Sequence, residues 1–229
     1  MSDRDAHKKQ AALAAVAMVE DGMVVGLGTG STAAFAIDGL IARVRDGLKI
    51  VGIPTSERSA KQAADGGIIL TDFAHHTRVD LTIDGADEIA EGTLDLIKGL
   101  GGALLREKIV ASASTRLVII ADAPKLVPGL GGTVPVPVEV VSFGWQTTAE
   151  RLAALGARPA MRQAGDAPFR TDGGNLILDC HFGPIADPAA LEARLSATVG
   201  VVETGLFIGM ATTALVAMPD GVRRLDRKG

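Results

Sequence analysis

From Met23 to Ala121 the chain alternates short apolar runs with segments of helical spacing. This alternation limits the possible folds more than any other feature. Met23 to Leu27, Leu48 to Ile53, Ile68 to Leu70, Val79 to Ile83 and Leu117 to Ala121 read as strands. After the first of these, Ile37, Leu40, Ile41 and Val44 fall at helical spacing. Ser56 to Ala64 reads as a helix closed by Gly66-Gly67, and Ala103 to Ser114 as another. Ahead of the first strand, Ala11 to Glu20 is Ala-rich and reads as a helix stopped by Asp21-Gly22. Strands joined through helices pair in parallel and are covered on both faces. The expected fold class is therefore α/β, a mostly parallel sheet with helices on its faces.

The texture changes near Gly129-Leu130-Gly131-Gly132. Val134 to Val138 is extended, and its two prolines argue against a central strand. A helix (Trp145 to Leu155), strands (Arg158 to Arg162 and Asn175 to Phe182), a second helix (Pro188 to Thr198) and a short strand (Gly200 to Glu203) follow. They read as a small α+β unit inserted into the first. Leu206 to Met218 is apolar enough to return to the main sheet. The expected division is 1–131 with 206–229, and 132–205.

With 229 residues, 47% of them hydrophobic, the chain affords a full core. A net charge of −4, no Tyr and a single Trp speak against a nucleic-acid surface. The lone Cys180 reads as a buried strand residue. The four histidines show no metal-ligand spacing, and His75-His76 reads as a surface pair. No apolar run is long enough to span a bilayer. The polar start, Met1 to Gln10, is unlike a signal peptide, so a cytoplasmic protein is expected.

Three segments carry chemistry. Gly28-Thr29-Gly30-Ser31-Thr32 follows a strand and opens a helix, where unpaired N–H groups and the helix dipole favour an anion. A tight, hydroxyl-capped turn is the plainer reading. The Gly-Lys-Ser/Thr ending of a nucleotide P-loop is missing, and a dinucleotide fingerprint from Gly26 or Gly28 is weakly matched. Its ribose-binding acid would have to be Asp46, which precedes its strand. Asp84-Gly85-Ala86-Asp87-Glu88 puts three carboxylates at the end of an apolar strand. There they could ligate a metal, hold sugar hydroxyls or shuttle protons. Downstream, Lys98-Gly99-Leu100-Gly101-Gly102 offers a cation beside a flexible loop, and Arg106-Glu107-Lys108 begins the next helix. By itself that triplet is a solvated helix face. Beside the acidic tip, Glu107 becomes a candidate base.

Taken in order, these segments resemble the type A ribose-5-phosphate isomerases. Ala121 to Lys125, Pro135 to Val140, Asn175 to Asp179 and Gly205 to Phe207 continue the match, which covers nearly the whole chain. The resemblance implies a Rossmann-like domain carrying a small ferredoxin-like domain, in dimers or tetramers. It implies interconversion of ribose 5-phosphate and ribulose 5-phosphate without a metal or organic cofactor. Carried over by position, Glu107 would be the general base and Lys98 would polarise the reacting oxygens. Asp84 and Asp87 would contact the sugar. Thr29, Gly30, Ser31 and Thr32 would hold phosphate, with Lys125 and Lys8 neutralising it. Gly85, Ala86, Gly99, Leu100 and Gly101 would complete the substrate contacts. The chain departs from the family pattern at Leu100, Leu105 and Thr212. A related-fold CoA transferase and a non-enzymatic sugar-phosphate sensor are the alternatives.

Overall fold

The computed structural model describes residues 3–227, so the outer limits 1 and 229 of the expected division lie outside the described residues. In chain order run α1 (Asp3–Val16), β1 (Val24–Leu27), α2 (Ser31–Arg45), β2 (Val51–Pro54), α3 (Glu57–Gly66), β3 (Ile69–Leu70) and β4 (Val79–Gly85). Next come β5 (Glu88–Ala90), β6 (Leu96–Ile97), α4 (Leu104–Ser112), β7 (Ser114–Asp122), a 3₁₀ turn (Ala123–Lys125), β8 (Leu126–Val127) and β9 (Val136–Val140). The chain continues through α5 (Trp145–Ala154), β10 (Arg158–Met161), β11 (Gln163–Ala164), β12 (Ala167–Pro168), β13 (Leu176–His181) and α6 (Pro188–Ser196). It closes with β14 (Val201–Thr204), β15 (Leu206–Phe207), β16 (Thr213–Met218) and β17 (Gly221–Asp226).

The main sheet has the order β17-β16-β7-β4-β1-β2-β3 and is parallel except for the β16–β17 pair. Both faces of its central strands are buried, which explains the unbroken apolar runs. Along β7, Val118 and Ile120 pack into the core beneath α1 and α2, while Leu117, Ile119 and Ala121 pack into the opposite core with Phe207. After β3 the chain crosses back to lay β4 on the other side of β1. The seam between β1 and β4 is therefore a topological switch point, where ligands of open α/β sheets bind at the strands' carboxyl ends.

Local chemistry sets the helix ends. The Ser56 hydroxyl caps α3 by accepting from the Ser59 N–H at 3.1 Å, and Gly67 ends the helix in the left-handed region at φ 94°. Asp187 caps α6 in the same way, with Pro188 at its first position. By contrast α2 opens on Gly30, at φ 116°, with no side-chain cap, so its first amides stay available.

Four readings need correction. The first helix spans Asp3–Val16, not Ala11 to Glu20. Its polar start forms the exposed face, with Asp3 and Asp5 in the first turn favoured by the dipole. Strand β2 begins at Val51 rather than Leu48. Pro137 lies in β9, between β13 and β14, a central position in the order β10-β13-β9-β14. It is tolerated because the ladder with β14 ends at the Thr204–Val138 pair; beyond it the Pro137 carbonyl accepts the Gly205 N–H at 2.7 Å. Finally, Leu206 to Met218 is not one strand. Leu206–Phe207 joins a short sheet, β15-β6-β5-β8, which the sequence did not reveal, and only Thr213–Met218 returns to the main sheet.

Candidate active site

The end of β4 holds a buried ionic triad. Lys98 Nζ lies 3.0 Å from Asp84 Oδ2 and 3.3 Å from Glu107 Oε1, and it donates to the Gly85 carbonyl at 2.5 Å. Lys98, Asp84 and Glu107 are 2%, 1% and 4% exposed. Lys98 is delivered by β6 and Glu107 by the first turn of α4. The Phe207 ring lies beneath the ammonium, its centroid 5.5 Å from Nζ.

The two carboxylates are not equivalent. Asp84 Oδ1 accepts the Thr29 N–H at 3.0 Å and the Gly85 N–H at 2.8 Å, in addition to its ion pair. Among the described residues Glu107 has only the ammonium, and its Oε2 is buried without a hydrogen-bond partner. Burial holds the Asp84 carboxyl above its ordinary range although Lys98 and the two amides oppose it, and burial together with the Asp84 charge pushes Glu107 up to about 8. Burial works against the Lys98 ammonium, but the Asp84 and Glu107 charges outweigh it and hold its pKa above the usual lysine range. One ammonium between two carboxylates leaves an uncompensated charge, so the pair titrates together, with Glu107 the member that has fewer donors.

Glu107 and Lys98 open onto a cavity of about 310 Å³, the lower end of ligand-pocket sizes. One wall is Thr29 to Thr32 at the start of α2, and another is Gly85 to Asp87 beyond β4. Gly99 and Gly101 form a third, and Lys8 and Lys125 stand at the rim. Lys8 Nζ donates to Ser31 Oγ at 2.9 Å, and Lys125 Nζ lies 4.0 Å from Asp87 Oδ1. Asp87 also accepts the Leu100 N–H at 2.9 Å.

Some expected residues stand elsewhere. Asp84 lies behind the cavity wall, bonded to the backbone and to Lys98. Leu100 contributes its amide to Asp87, while the residue is 40% exposed and off the lining. Thr29 lines the cavity, but its hydroxyl bonds the buried hydroxyls of Thr55 (2.7 Å) and Ser56 (2.8 Å). Glu88, buried, collects the N–H groups of Gly131, Thr133 and Val134 and the Thr133 hydroxyl, so it braces that loop.

Two lining residues escaped the sequence reading, Arg4 and Asp122, whose Nε and Oδ2 pair at 2.5 Å. Asp122 carried the same signal as Asp84, an acid ending an apolar strand; Arg4 lay in a polar segment without one. Gly26 and Gly28 are explained by close approach to β4. A Cβ at Gly28 would lie 2.3 Å from Asp84 Oδ1, and one at Gly26 would lie 1.9 Å from Thr82 Oγ1. The resemblance to a dinucleotide fingerprint thus has a packing origin. Among the described residues, no group of three or more His, Cys, Asp or Glu comes together as a metal-holding set.

A parallel α/β sheet with this cavity at its switch point, an uncapped helix start, a rim of cations and a buried carboxyl against a lysine defines a class: α/β proteins equipped to hold a small anion and move a proton on it. The comparisons narrow the class. The family model for ribose 5-phosphate isomerase A (phosphoriboisomerase A) matches residues 51–221. A ribose-5-phosphate isomerase A from Gloeobacter violaceus is 62% identical over 223 residues, covering 97% of each chain. The solved ribose 5-phosphate isomerase A of Methanocaldococcus jannaschii superposes with a TM-score of 0.94 at 39% identity, over 98% of this chain and 100% of its own. A D-ribose-5-phosphate isomerase solved with phospho-erythronic acid gives 0.95 at 37% identity, over 99% and 100%. The chain belongs to the ribose-5-phosphate isomerase A family.

Proposed function

We propose that this protein is an aldose–ketose isomerase that interconverts ribose 5-phosphate and ribulose 5-phosphate in the pentose phosphate pathway, with Glu107 as its base. The single observation that carries the assignment of the base is Glu107 Oε2, buried at the cavity and unpaired while its partner oxygen faces Lys98. Ionised Glu107 takes the proton from C2 of the open-chain aldose. The electron pair passes into a C1–C2 enediolate, and the same carboxyl returns the proton to C1 as the hydroxyl proton moves from O2 to O1. Negative charge grows on the sugar oxygens, and the Lys98 ammonium, fixed by Asp84, is placed to meet it. Asp87 holds the sugar from the β4 side and assists ring opening; Asp84 acts behind it. The first amides of α2, Ser31 and Thr32 receive the phosphate, with Lys8 and Lys125 supplying charge.

Family membership favours this reading over the CoA transferase, the sensor and the nicotinamide enzyme. The two-part division at 132–205 stays our proposal, supported by a four-stranded sheet drawn wholly from residues 136–204. We place the enzyme in the cytoplasm, where charged sugar phosphates are retained, and take it to be a homo-oligomer. Phe143 and Val199, 94% and 74% exposed, support a subunit contact. The experiment is ketose formation from ribose 5-phosphate by chelator-treated protein. Turnover is expected; its absence with folded protein would refute the reading.

A further inference from the structure

The loop that carries Gly99 and Gly101 into the cavity is held from the far side by the antiparallel lobe. Arg162, just after β10, gives its Nε to Asp179 Oδ2 at 3.0 Å and its Nη2 to Asp179 Oδ1. This bidentate pair fixes the guanidinium plane. The remaining Nη1 donates to the Gly99 carbonyl at 2.7 Å and the Leu100 carbonyl at 3.2 Å. Phe169, whose N–H donates to the Arg162 carbonyl at 2.9 Å, lies with its ring 5.9 Å from the guanidinium carbon. The same ring packs on Gly102 so closely that a Cβ there would lie 2.4 Å from it.

These contacts orient peptide planes. In a trans peptide the C=O and the following N–H point in opposite directions. With the Gly99 carbonyl turned to Arg162, the Leu100 N–H points away and reaches Asp87 Oδ2 at 2.9 Å. With the Leu100 carbonyl turned the same way, the Gly101 N–H also points away from Arg162, and Gly101 forms part of the cavity wall. Glycine at 99, at φ 107°, gives the loop freedom to adopt other orientations, so something outside it must select this one.

We propose that Arg162, clamped by Asp179, is a positioning residue for the isomerisation: it aims the Leu100 N–H at Asp87 and the Gly101 N–H at the reacting end of the sugar. The inference rests on the function proposed above. It assigns the small lobe a part in the chemistry although, among the described residues, none of its side chains lines the cavity.

The test compares kcat and KM for ribose 5-phosphate in wild type, Arg162→Ala, Arg162→Lys and Asp179→Asn, each checked for folding by its thermal transition. For Arg162→Ala a loss on the order of 10–100-fold in kcat is expected, with KM within about threefold of wild type. Arg162→Lys should recover part of the loss, since an ammonium reaches a carbonyl but cannot hold the fork with Asp179. Asp179→Asn should lower kcat in the same sense. A folded Arg162→Ala with kcat within about threefold of wild type, or with a raised KM alone, would overturn the proposal. Should that variant fail to fold, unchanged kcat in Arg162→Lys and Asp179→Asn would overturn it instead. Wild-type protein without turnover would refute the function and this inference together; active wild type with equally active variants would refute only the inference.

Discussion

Asp84 and Glu107 share one ammonium: Lys98 Nζ sits 3.0 Å from the first and 3.3 Å from the second, with all three groups buried. Asp84 is also bonded by two amides, and Glu107 Oε2 by none. The asymmetry separates a carboxylate held by two amides and the ammonium from one with a free oxygen that exchanges a proton near neutrality, the division of labour that acid–base catalysis needs.

The first expectation concerns pH. Glu107, pushed up to about 8 by burial and by the Asp84 charge, is largely protonated below that value in the free enzyme. A base must be ionised to act, so kcat/KM should rise with pH and level off above about 8. The substrate phosphate titrates lower, near ~6, and is distinguishable. A profile flat from neutrality upward would contradict the shift.

Asp84→Asn should move that limb. Asparagine keeps an oxygen for the Thr29 and Gly85 amides but removes the charge that raises Glu107. The limb should shift to lower pH, by on the order of one unit. A pH–rate profile with an unmoved limb would show that the two carboxyls are not coupled.

Stability should carry the same signature. Because the folded-state value for Glu107 lies above its ordinary 4.5, the folded protein binds more protons than the unfolded chain between 4.5 and about 8. Stability from this group is therefore present at low pH and lost as pH rises through that window. Glu107→Gln cannot ionise, so its stability relative to wild type should grow across the window, reaching on the order of 1–3 kcal/mol above it. Urea denaturation at the two ends checks this; a constant difference would contradict it.

Lys125 and Thr29 should behave differently although both line the cavity. Lys125 is the cation proposed to meet the phosphate, so Lys125→Ala should raise KM about tenfold with little change in Tm. The Thr29 hydroxyl is spent on Thr55 and Ser56, so Thr29→Val should cost about 1–3 kcal/mol of stability and leave KM nearly unchanged. Kinetics and thermal melts on the pair decide between the roles, and a raised KM for Thr29→Val would place its hydroxyl on the substrate.

Much of the frame was legible because the central strands of the main sheet are buried on both faces. Runs such as Leu117 to Ala121 need no partner to be recognised. Glu107 and Lys98 stood out because a charge beside glycines, after an acidic strand end, is poorly explained by packing. Which side of the wall a group faces was not legible. Asp84 turns to the Thr29 amide and the Thr29 hydroxyl to α3, and both depend on how closely β1 and β4 approach. Pro137 misled because its tolerance rests on where β14 ends, a fact of tertiary register. Arg4 and Arg162 reach the site from distant parts of the chain, and no local pattern marks them.

The most direct measurement is turnover of ribose 5-phosphate by Glu107→Gln. The variant keeps an oxygen for Lys98 and loses only the ability to take a proton. With Glu107 as the base, kcat should fall by about 10²–10⁴-fold while the protein remains folded and still binds substrate. A folded Glu107→Gln protein with kcat within about threefold of wild type would show that another group moves the proton.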